Sequence, residues 1–220
     1  MKSLSNFFKS ASLVAFFLIL GLLNSYAVDS IVNQVDNKGF SRITLGKDDA
    51  PVIIYEFLSL SCGHCGTVYN DVMPEVKKNY VDRGLVKIIF IDVPLGSSTN
   101  LFAHSLVHVS KNKEVSLRLL TALFKAQKEW LSNSNPKKQL IFYAKSVGIT
   151  DAEIKTAEDE NLKSWLTDSA TDILKALKIS GTPTMILVKK GERIEDSKIR
   201  LSGAEPYSRV KRAIDKLLNE

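Results

Sequence analysis

Three stretches of the chain carry nearly continuous apolar residues, which is the pattern of strands buried in the middle of a sheet. The first is VIIYEFLSL at residues 52–60, directly after Pro51, and it contains one charged residue. The second is GLVKIIFIDVPL at 84–95, and the third covers 185–189. A turn after the third leads to a partner strand around 199–201. The pattern predicts strands at these four positions.

A helical pattern separates the first two strands. In VYNDVMPEVKKNYV, apolar residues recur every four positions at Val68, Val72, Val76 and Tyr80. Pro74 should kink this helix, because proline lacks the N–H of a helical hydrogen bond. A strand, helix, strand order predicts a parallel pair, since parallel strands require such a crossover.

The middle of the chain, residues 97–178, is predicted to be entirely helical. Its longest periodic stretch, EVSLRLLTALFKAQKEWL, is predicted as one helix over 114–131. No strand-like alternation interrupts the region. The sequence therefore predicts one domain in two parts, residues 28–96 and 179–220, with a compact helical domain inserted between them.

Capping residues support the helix boundaries. Asn135 precedes Pro136 at a helix start, and Thr150 with Glu153 has the spacing of a capping box. A last helix follows Pro206 near the C-terminus. Its predicted apolar face consists of Val210, Ala213, Ile214, Leu217 and Leu218.

The N-terminus has the pattern of a secretory signal peptide. Lys2 and Lys9 precede the apolar stretch LVAFFLILGLL at 13–23, and small residues lead to Ala27. The stretch is shorter than the roughly 20 residues that span a bilayer. We expect cleavage after Ala27 and export to the periplasm.

Composition and charge exclude few function classes. The chain has 220 residues, of which 45% are hydrophobic and 25% charged, and this is typical of a globular protein with a sizeable core. The formal net charge is +6, but the basic residues are scattered in pairs. We therefore expect no nucleic-acid partner.

The only two cysteines, Cys62 and Cys65, stand in the motif CGHC. A disulfide across four residues constrains the unfolded chain by only about 2 kcal/mol, which is little for a structural bridge. Two thiolates are too few for structural zinc, and Gly66 stands where a haem-binding motif has histidine. A reactive pair fits best, because the predicted helix starts at the motif and its N-terminus stabilises a thiolate.

Three other features carry candidate chemistry. Glu56 lies within the first apolar strand, where burial should raise its pKa; the alternative is that strand pleating turns it to solvent. Thr182-Pro183 precedes the third strand and is a candidate cis bond. His104 and His108 are four residues apart on a predicted helix, a spacing that a metal could use, although structural or surface roles are favoured.

Together these residues resemble the DsbA-like thiol-disulfide oxidoreductases. The resemblance rests on Glu56 six residues before Cys62, on the CGHC motif, on the helical insertion and on Thr182-Pro183 before a late strand. It covers essentially the whole chain after the signal peptide. It implies an α/β fold, namely a thioredoxin-like fold with an inserted helical domain.

The resemblance also implies roles for individual residues. Cys62 corresponds to the exposed nucleophile and Cys65 to the buried resolving cysteine. His64 corresponds to the residue that stabilises the Cys62 thiolate, and Glu56 to the buried acid that assists proton transfer to Cys65. Pro183 corresponds to the family's cis-proline, and the backbone of Thr182 would bind a client peptide.

Two residues depart from the pattern of the most oxidising members. Gly63 stands in place of proline between the cysteines, and Thr182 in place of valine before the cis-proline. Gly-His resembles eukaryotic disulfide isomerases, and threonine before the cis-proline is common in bacterial isomerases. The alternatives are therefore an oxidase and an oligomeric isomerase, and the short segment before Cys62 favours a monomeric oxidase.

The resemblance further implies the partners. Clients are exported proteins with reduced cysteines, and a DsbB-like membrane protein linked to quinone would reoxidise the enzyme. We expect no bound cofactor and no metal. A non-enzymatic alternative is a periplasmic holdase or metallochaperone.

Overall fold

The computed structural model describes residues 40–94 and 96–220. The predicted signal peptide and its cleavage site lie outside these residues. Within these residues, five strands form one sheet in the order β1-β3-β2-β4-β5. Strands β2 and β3 are parallel, and the other neighbouring pairs are antiparallel. The strands are β1 (Thr44–Leu45), β2 (Val52–Leu58), β3 (Val86–Asp92), β4 (Thr184–Lys189) and β5 (Ile199–Ser202).

The four predicted strands are confirmed as β2 to β5, and β1 is an addition. Strand β2 ends at Leu58, two residues before the predicted end, and the chain then turns into the cysteine motif. The predicted parallel pairing is also confirmed, since Ile54 pairs with Ile88 and Glu56 with Phe90 in register. The motif therefore lies at the C-terminal end of a central strand, where α/β proteins usually carry their sites.

The helix after the motif is confirmed, but it is not regular. It begins as α1 (Gly63–Thr67), widens into a π-helical segment (Val68–Val72), continues as α2 (Met73–Val76) and ends in a second π-helical segment (Lys77–Val81). Pro74 has no N–H to donate to the preceding turn, so the wider π turn before it accommodates the missing hydrogen bond.

Between β3 and β4 the described chain is helical throughout, as predicted. Asn135 caps a helix by accepting from the backbone N–H of Lys138, and both halves of the Thr150 and Glu153 capping box are present. The helices are α3 (Ser98–Val107), α4 (Lys113–Lys125), α5 (Gln127–Ser132), α6 (Pro136–Ser146), α7 (Asp151–Thr156) and α8 (Glu160–Ala176).

The prediction of one helix over 114–131 is wrong, because the chain bends at Ala126 (φ −94°, ψ 12°) and starts a new helix. The bend turns Trp130 and Gln127 into the protein. The Trp130 indole is completely buried and donates to the Leu123 carbonyl. Burial of these two side chains outweighs helix continuity at this point.

Helices cover both faces of the sheet. Ile54 and Leu58 of β2 pack in one apolar cluster with Cys65 and the C-terminal helix α9 (Tyr207–Asn219). Tyr55 and Phe57 point to the other face, in a second cluster that includes Ile173 and Leu177 at the end of α8. Within residues 40–94 and 96–220, no helix has the length and apolar character to cross a membrane.

Candidate active site

The two cysteines occupy different environments at the start of α1. Cys62 is the N-cap residue in extended backbone geometry (φ −82°, ψ 115°), so the helix starts at the motif as predicted, and Cys62 is partly exposed. Cys65 lies in the first turn and is completely buried. Both are free thiols. A molecule in solution can therefore reach Cys62 but not Cys65.

The Cys62 sulfur is surrounded by hydrogen-bonding groups. The backbone N–H of Cys65 donates to this sulfur at 3.4 Å. The Cys62 thiol in turn donates a hydrogen bond to the Thr182 carbonyl at 3.3 Å. Burial opposes ionisation, but the hydroxyl of Thr182 and the N–H groups of Cys65 and His64 lower the pKa of Cys62. The helix N-terminus thus stabilises the thiolate.

Cys65 shows the opposite behaviour. Burial strongly raises the pKa of its thiol, and the backbone N–H of Ser59, which donates to Sγ at 3.5 Å, offsets this only in part. The pair therefore consists of one thiol that ionises readily and one that holds its proton.

This asymmetry predicts selective alkylation. In a short pulse of iodoacetamide at pH 7.5, we expect the reduced protein to be modified at Cys62 at least about tenfold more than at Cys65, because the thiolate is the nucleophile and only Cys62 is accessible. Peptide mapping by mass spectrometry measures the ratio. The same pulse on the urea-unfolded chain should modify both cysteines alike, and equal modification of the folded protein would contradict the described difference.

The two residues between the cysteines are exposed. The backbone N–H of His64 helps to lower the pKa of Cys62. A Cβ atom built on Gly63 meets nothing within 4 Å, so the fold leaves space for a side chain there. The predicted influence of the His64 side chain on the thiolate remains a prediction.

Glu56 is fully buried, so the alternative that it faces solvent is wrong. Strand alternation places it on the same sheet face as Ile54 and Leu58, which pack in the cluster that contains Cys65. Neither carboxyl oxygen has a hydrogen-bond partner among the described residues. Burial raises its pKa to about 8, as the sequence predicted in direction.

Thr182 and Pro183 lie across from the motif, just before β4. The peptide bond between them is cis. The Thr182 carbonyl faces Cys62 at 3.3 Å, and a depression of about 290 Å³ beside it is lined by residues 178–184 and by Arg200, Ser202 and Gly203. The structure thus brings Thr182 to the redox pair, 120 residues away along the chain.

The two histidines noted for a shared face belong to a buried polar cluster. His104 Nδ1 lies 2.8 Å from one oxygen of Asp92, and His108 Nε2 lies 2.8 Å from the other. Burial opposes charge on Asp92, yet His108 and His104 hold the pKa of this carboxyl well below its usual range. Among the described residues no group of His, Cys, Asp and Glu is arranged to bind a metal.

Three polar residues near the motif were not singled out from the sequence: Asp92, Asn100 and Gln127. Asp92 ends strand β3, and its position at a strand's C-terminal end was an available signal. Asn100 lies one helical turn before His104 and donates to Ser59 Oγ at 3.1 Å. Gln127 follows the bend that the sequence pattern did not show.

Known proteins are similar to this chain in sequence and in fold. Residues 40–216 match the family described as thioredoxin. The probable disulfide bond formation protein D of Bacillus anthracis is 30% identical over 131 residues, an alignment that covers 54% of this chain but only 58% of that relative. The disulfide bond formation protein D of Bacillus subtilis is 28% identical over 169 residues, which cover 74% of this chain and 73% of that relative.

A solved structure extends the comparison to the fold. A variant of α-DsbA1 from Wolbachia pipientis superposes with a TM-score of 0.78 at 22% identity, and covers 87% of this chain and 96% of its own. The chain therefore belongs to the thioredoxin family; it is similar in sequence to disulfide bond formation proteins, and its fold is that of α-DsbA1.

Proposed function

We propose that this oxidoreductase works as an oxidase, which introduces disulfides into exported proteins in the periplasm. The observation that carries the proposal is the contrast between the two thiols: the pKa of Cys62 is lowered and that of Cys65 is raised. A stabilised Cys62 thiolate favours the reduced enzyme over the oxidised enzyme. The disulfide form is then a stronger oxidant, because its reduction is favourable.

The reaction begins with the Cys62–Cys65 disulfide. A client thiolate attacks Cys62 Sγ, which forms the client–Cys62 bond, breaks the Cys62–Cys65 bond and releases Cys65 as a thiolate. A second client thiolate then attacks the client sulfur of this mixed disulfide and releases the Cys62 thiolate. The client loses two electrons and gains a disulfide, and the enzyme is left as the dithiol.

Cys65 needs a proton when it is released from the disulfide, because burial disfavours its thiolate form. We assign Glu56 as the proton donor, because its raised pKa keeps it protonated at neutral pH and it lies on the sheet face that packs against Cys65. When Cys65 attacks in the reverse direction, the ionised Glu56 would accept the proton.

Client binding is assigned to the surface between Cys62 and Thr182. The Thr182 carbonyl already lies within hydrogen-bond distance of the Cys62 sulfur. In a mixed disulfide the thiol proton is gone, so that region of backbone is free to pair with an extended client. Pro183 fixes the chain direction at this point.

Export and reoxidation complete the cycle. The signal pattern at residues 1–27 supports a periplasmic location, where thiols meet oxidants. Turnover also requires an electron acceptor for the reduced enzyme, and a DsbB-like membrane protein linked to quinone suits this role. The enzyme would act as a monomer.

An isomerase is the second candidate, since Gly63 and Thr182 are the residues that differ from the most oxidising relatives. The two functions make different demands: an oxidase needs a high reduction potential, and an isomerase needs a reduced active site and usually a dimer or trimer. Sedimentation that shows a stable oligomer would favour the isomerase.

The reduction potential tests the oxidase directly. We expect a value between about −120 mV, typical of DsbA, and about −270 mV, typical of thioredoxin, and closer to the DsbA end. Equilibration of the purified protein with glutathione buffers, followed by trapping and quantification of the dithiol, gives the number. A value of about −250 mV or lower would refute oxidation as the main role, and oxidation of reduced ribonuclease should be measured beside it.

A further inference from the structure

The four residues before α1 connect both sulfurs to the helices inserted between β3 and β4. Within this segment, Ser59 donates its backbone N–H to Cys65 Sγ, and its carbonyl accepts from the N–H of Cys62. A shift of the segment therefore moves the environment of both cysteines at once. Side chains that fix the position of this segment should therefore influence the redox equilibrium of Cys62 and Cys65.

Gln127 holds this segment from the start of α5. Its side-chain Nε2 donates to the Leu60 carbonyl at 2.8 Å and to the Cys62 carbonyl at 2.9 Å, so both amide hydrogens are used. Gln127 as a whole is buried, with 6% of its surface exposed. Gln127 thus ties Leu60, two residues before the motif, to Cys62, the first residue of the motif.

Gly66 makes room for this contact. A Cβ atom at position 66 would overlap with Oε1 of Gln127, so only glycine lets the amide lie against the first turn of α1. The N–H of Gly66 also donates to the Cys62 carbonyl at 3.1 Å. The Cys62 carbonyl therefore accepts two hydrogen bonds, one within the helix and one from Gln127.

The opposite side of the segment is held by α3. The backbone N–H of Leu60 donates to His104 Nε2 at 3.1 Å, and Nδ1 of the same ring is bonded to Asp92. Asn100, one turn earlier, donates to Ser59 Oγ. Both ends of the buried Leu60 peptide are thus bonded to side chains of the inserted helices.

We propose that Gln127 is a positioning residue that sets the redox equilibrium of Cys62 and Cys65 by fixing the carbonyls of Leu60 and Cys62. With these carbonyls held, the Cys62 sulfur stays aligned with the N–H groups of His64 and Cys65. The reduced enzyme gains most from this alignment, because only the thiolate carries a charge. The inference rests on the dithiol–disulfide exchange proposed above, but it holds whether the enzyme mainly oxidises its clients or not.

The test is Gln127→Met, which keeps the length of the side chain and removes both donors. We expect its equilibrium constant with glutathione to shift about tenfold toward the oxidised enzyme, which corresponds to about 30 mV. The pKa of Cys62, followed by thiolate absorbance at 240 nm, should rise in parallel. A residue with a merely structural role would lower the melting temperature without moving either quantity.

Two further variants sharpen the result. Gln139→Met, at a partly exposed glutamine of α6, is the matched control and should leave both redox readouts unchanged. Gly66→Ala displaces the Gln127 amide without altering it, and should shift the equilibrium in the same direction as Gln127→Met. It also serves as the test if Gln127→Met does not fold.

The measurements distinguish a positioning role of Gln127 from a structural one. If folded Gln127→Met, or folded Gly66→Ala in its place, keeps the glutathione equilibrium constant and the Cys62 titration within about twofold of the wild type, the proposal is overturned. A strongly reducing wild-type protein would refute the oxidase, while the difference between wild type and Gln127→Met would still decide the role of Gln127.

Discussion

Replacement of Cys65 with alanine is expected to abolish turnover and to trap clients on Cys62. The first exchange still forms a mixed disulfide when the variant meets an oxidised client or a disulfide reagent. However, the variant cannot form the Cys62–Cys65 disulfide that oxidises clients, and it has no buried thiol to displace a client that is held on Cys62. We expect turnover in ribonuclease oxidation to fall by at least about a hundredfold, an estimate that treats the resolving thiol as essential. Non-reducing gels of a periplasmic extract should show covalent adducts that disappear with reductant.

Cys62→Ala is the matched control, because its one remaining cysteine, Cys65, is buried and out of reach of a client. It should form no adducts and have no activity. Adducts that are equally abundant in Cys62→Ala would contradict the assignment of Cys62 as the nucleophile. If neither variant forms adducts, client binding without thiol chemistry, as in a holdase, becomes the better description.

Replacement of Glu56 with glutamine is expected to change how stability depends on pH. In the folded protein burial raises the pKa of Glu56 to about 8 from an ordinary value of 4.5. Between these pH values the folded state therefore binds a proton that the unfolded state has lost. The free energy of unfolding should then decrease as pH rises from about 4.5 to about 8, by about 4 kcal/mol in total, and show no further loss from this group above pH 8.

Urea denaturation of the reduced protein between pH 5 and 9 measures this effect. Glu56→Gln has no proton to lose and should flatten the profile, so that the variant is more stable than the wild type at pH 8.5. Glu75→Gln, at an exposed site on α2, should leave the profile unchanged. A wild-type protein whose stability does not decrease over this range would show that Glu56 is solvated or paired in solution.

Much of the sheet was predictable because its signals are local. The apolar run of β2 has no solvent-facing alternation, and that pattern identifies a central strand whatever its neighbours are. The caps at Asn135 and Thr150 are equally local, since each cap and its backbone partner lie three residues apart. The prediction of a reactive pair also used local signals, namely the spacing of Cys62 and Cys65 and the helix that starts at the motif.

The remaining parts depend on contacts between distant residues. The bend at Ala126 is not visible in a sequence of good helix formers, because the burial of Trp130 and the hydrogen bonds of Gln127 decide it. Gln127 and Leu60 are 67 residues apart. For the same reason Gly66 resembled an ordinary glycine, although the side chain that needs its space comes from another helix.

The sheet's edges are short for a protein proposed to meet unfolded chains. Strand β1 has two residues and β5 has four, whereas the central strands β2 and β3 have seven each. An exposed strand offers unpaired backbone groups to any extended polypeptide, and long free edges promote uncontrolled association. Short edges give a client little backbone to pair with away from the site. This architecture is expected to limit self-aggregation and to leave the proposed client surface between Cys62 and Thr182 as the place where a passing chain binds.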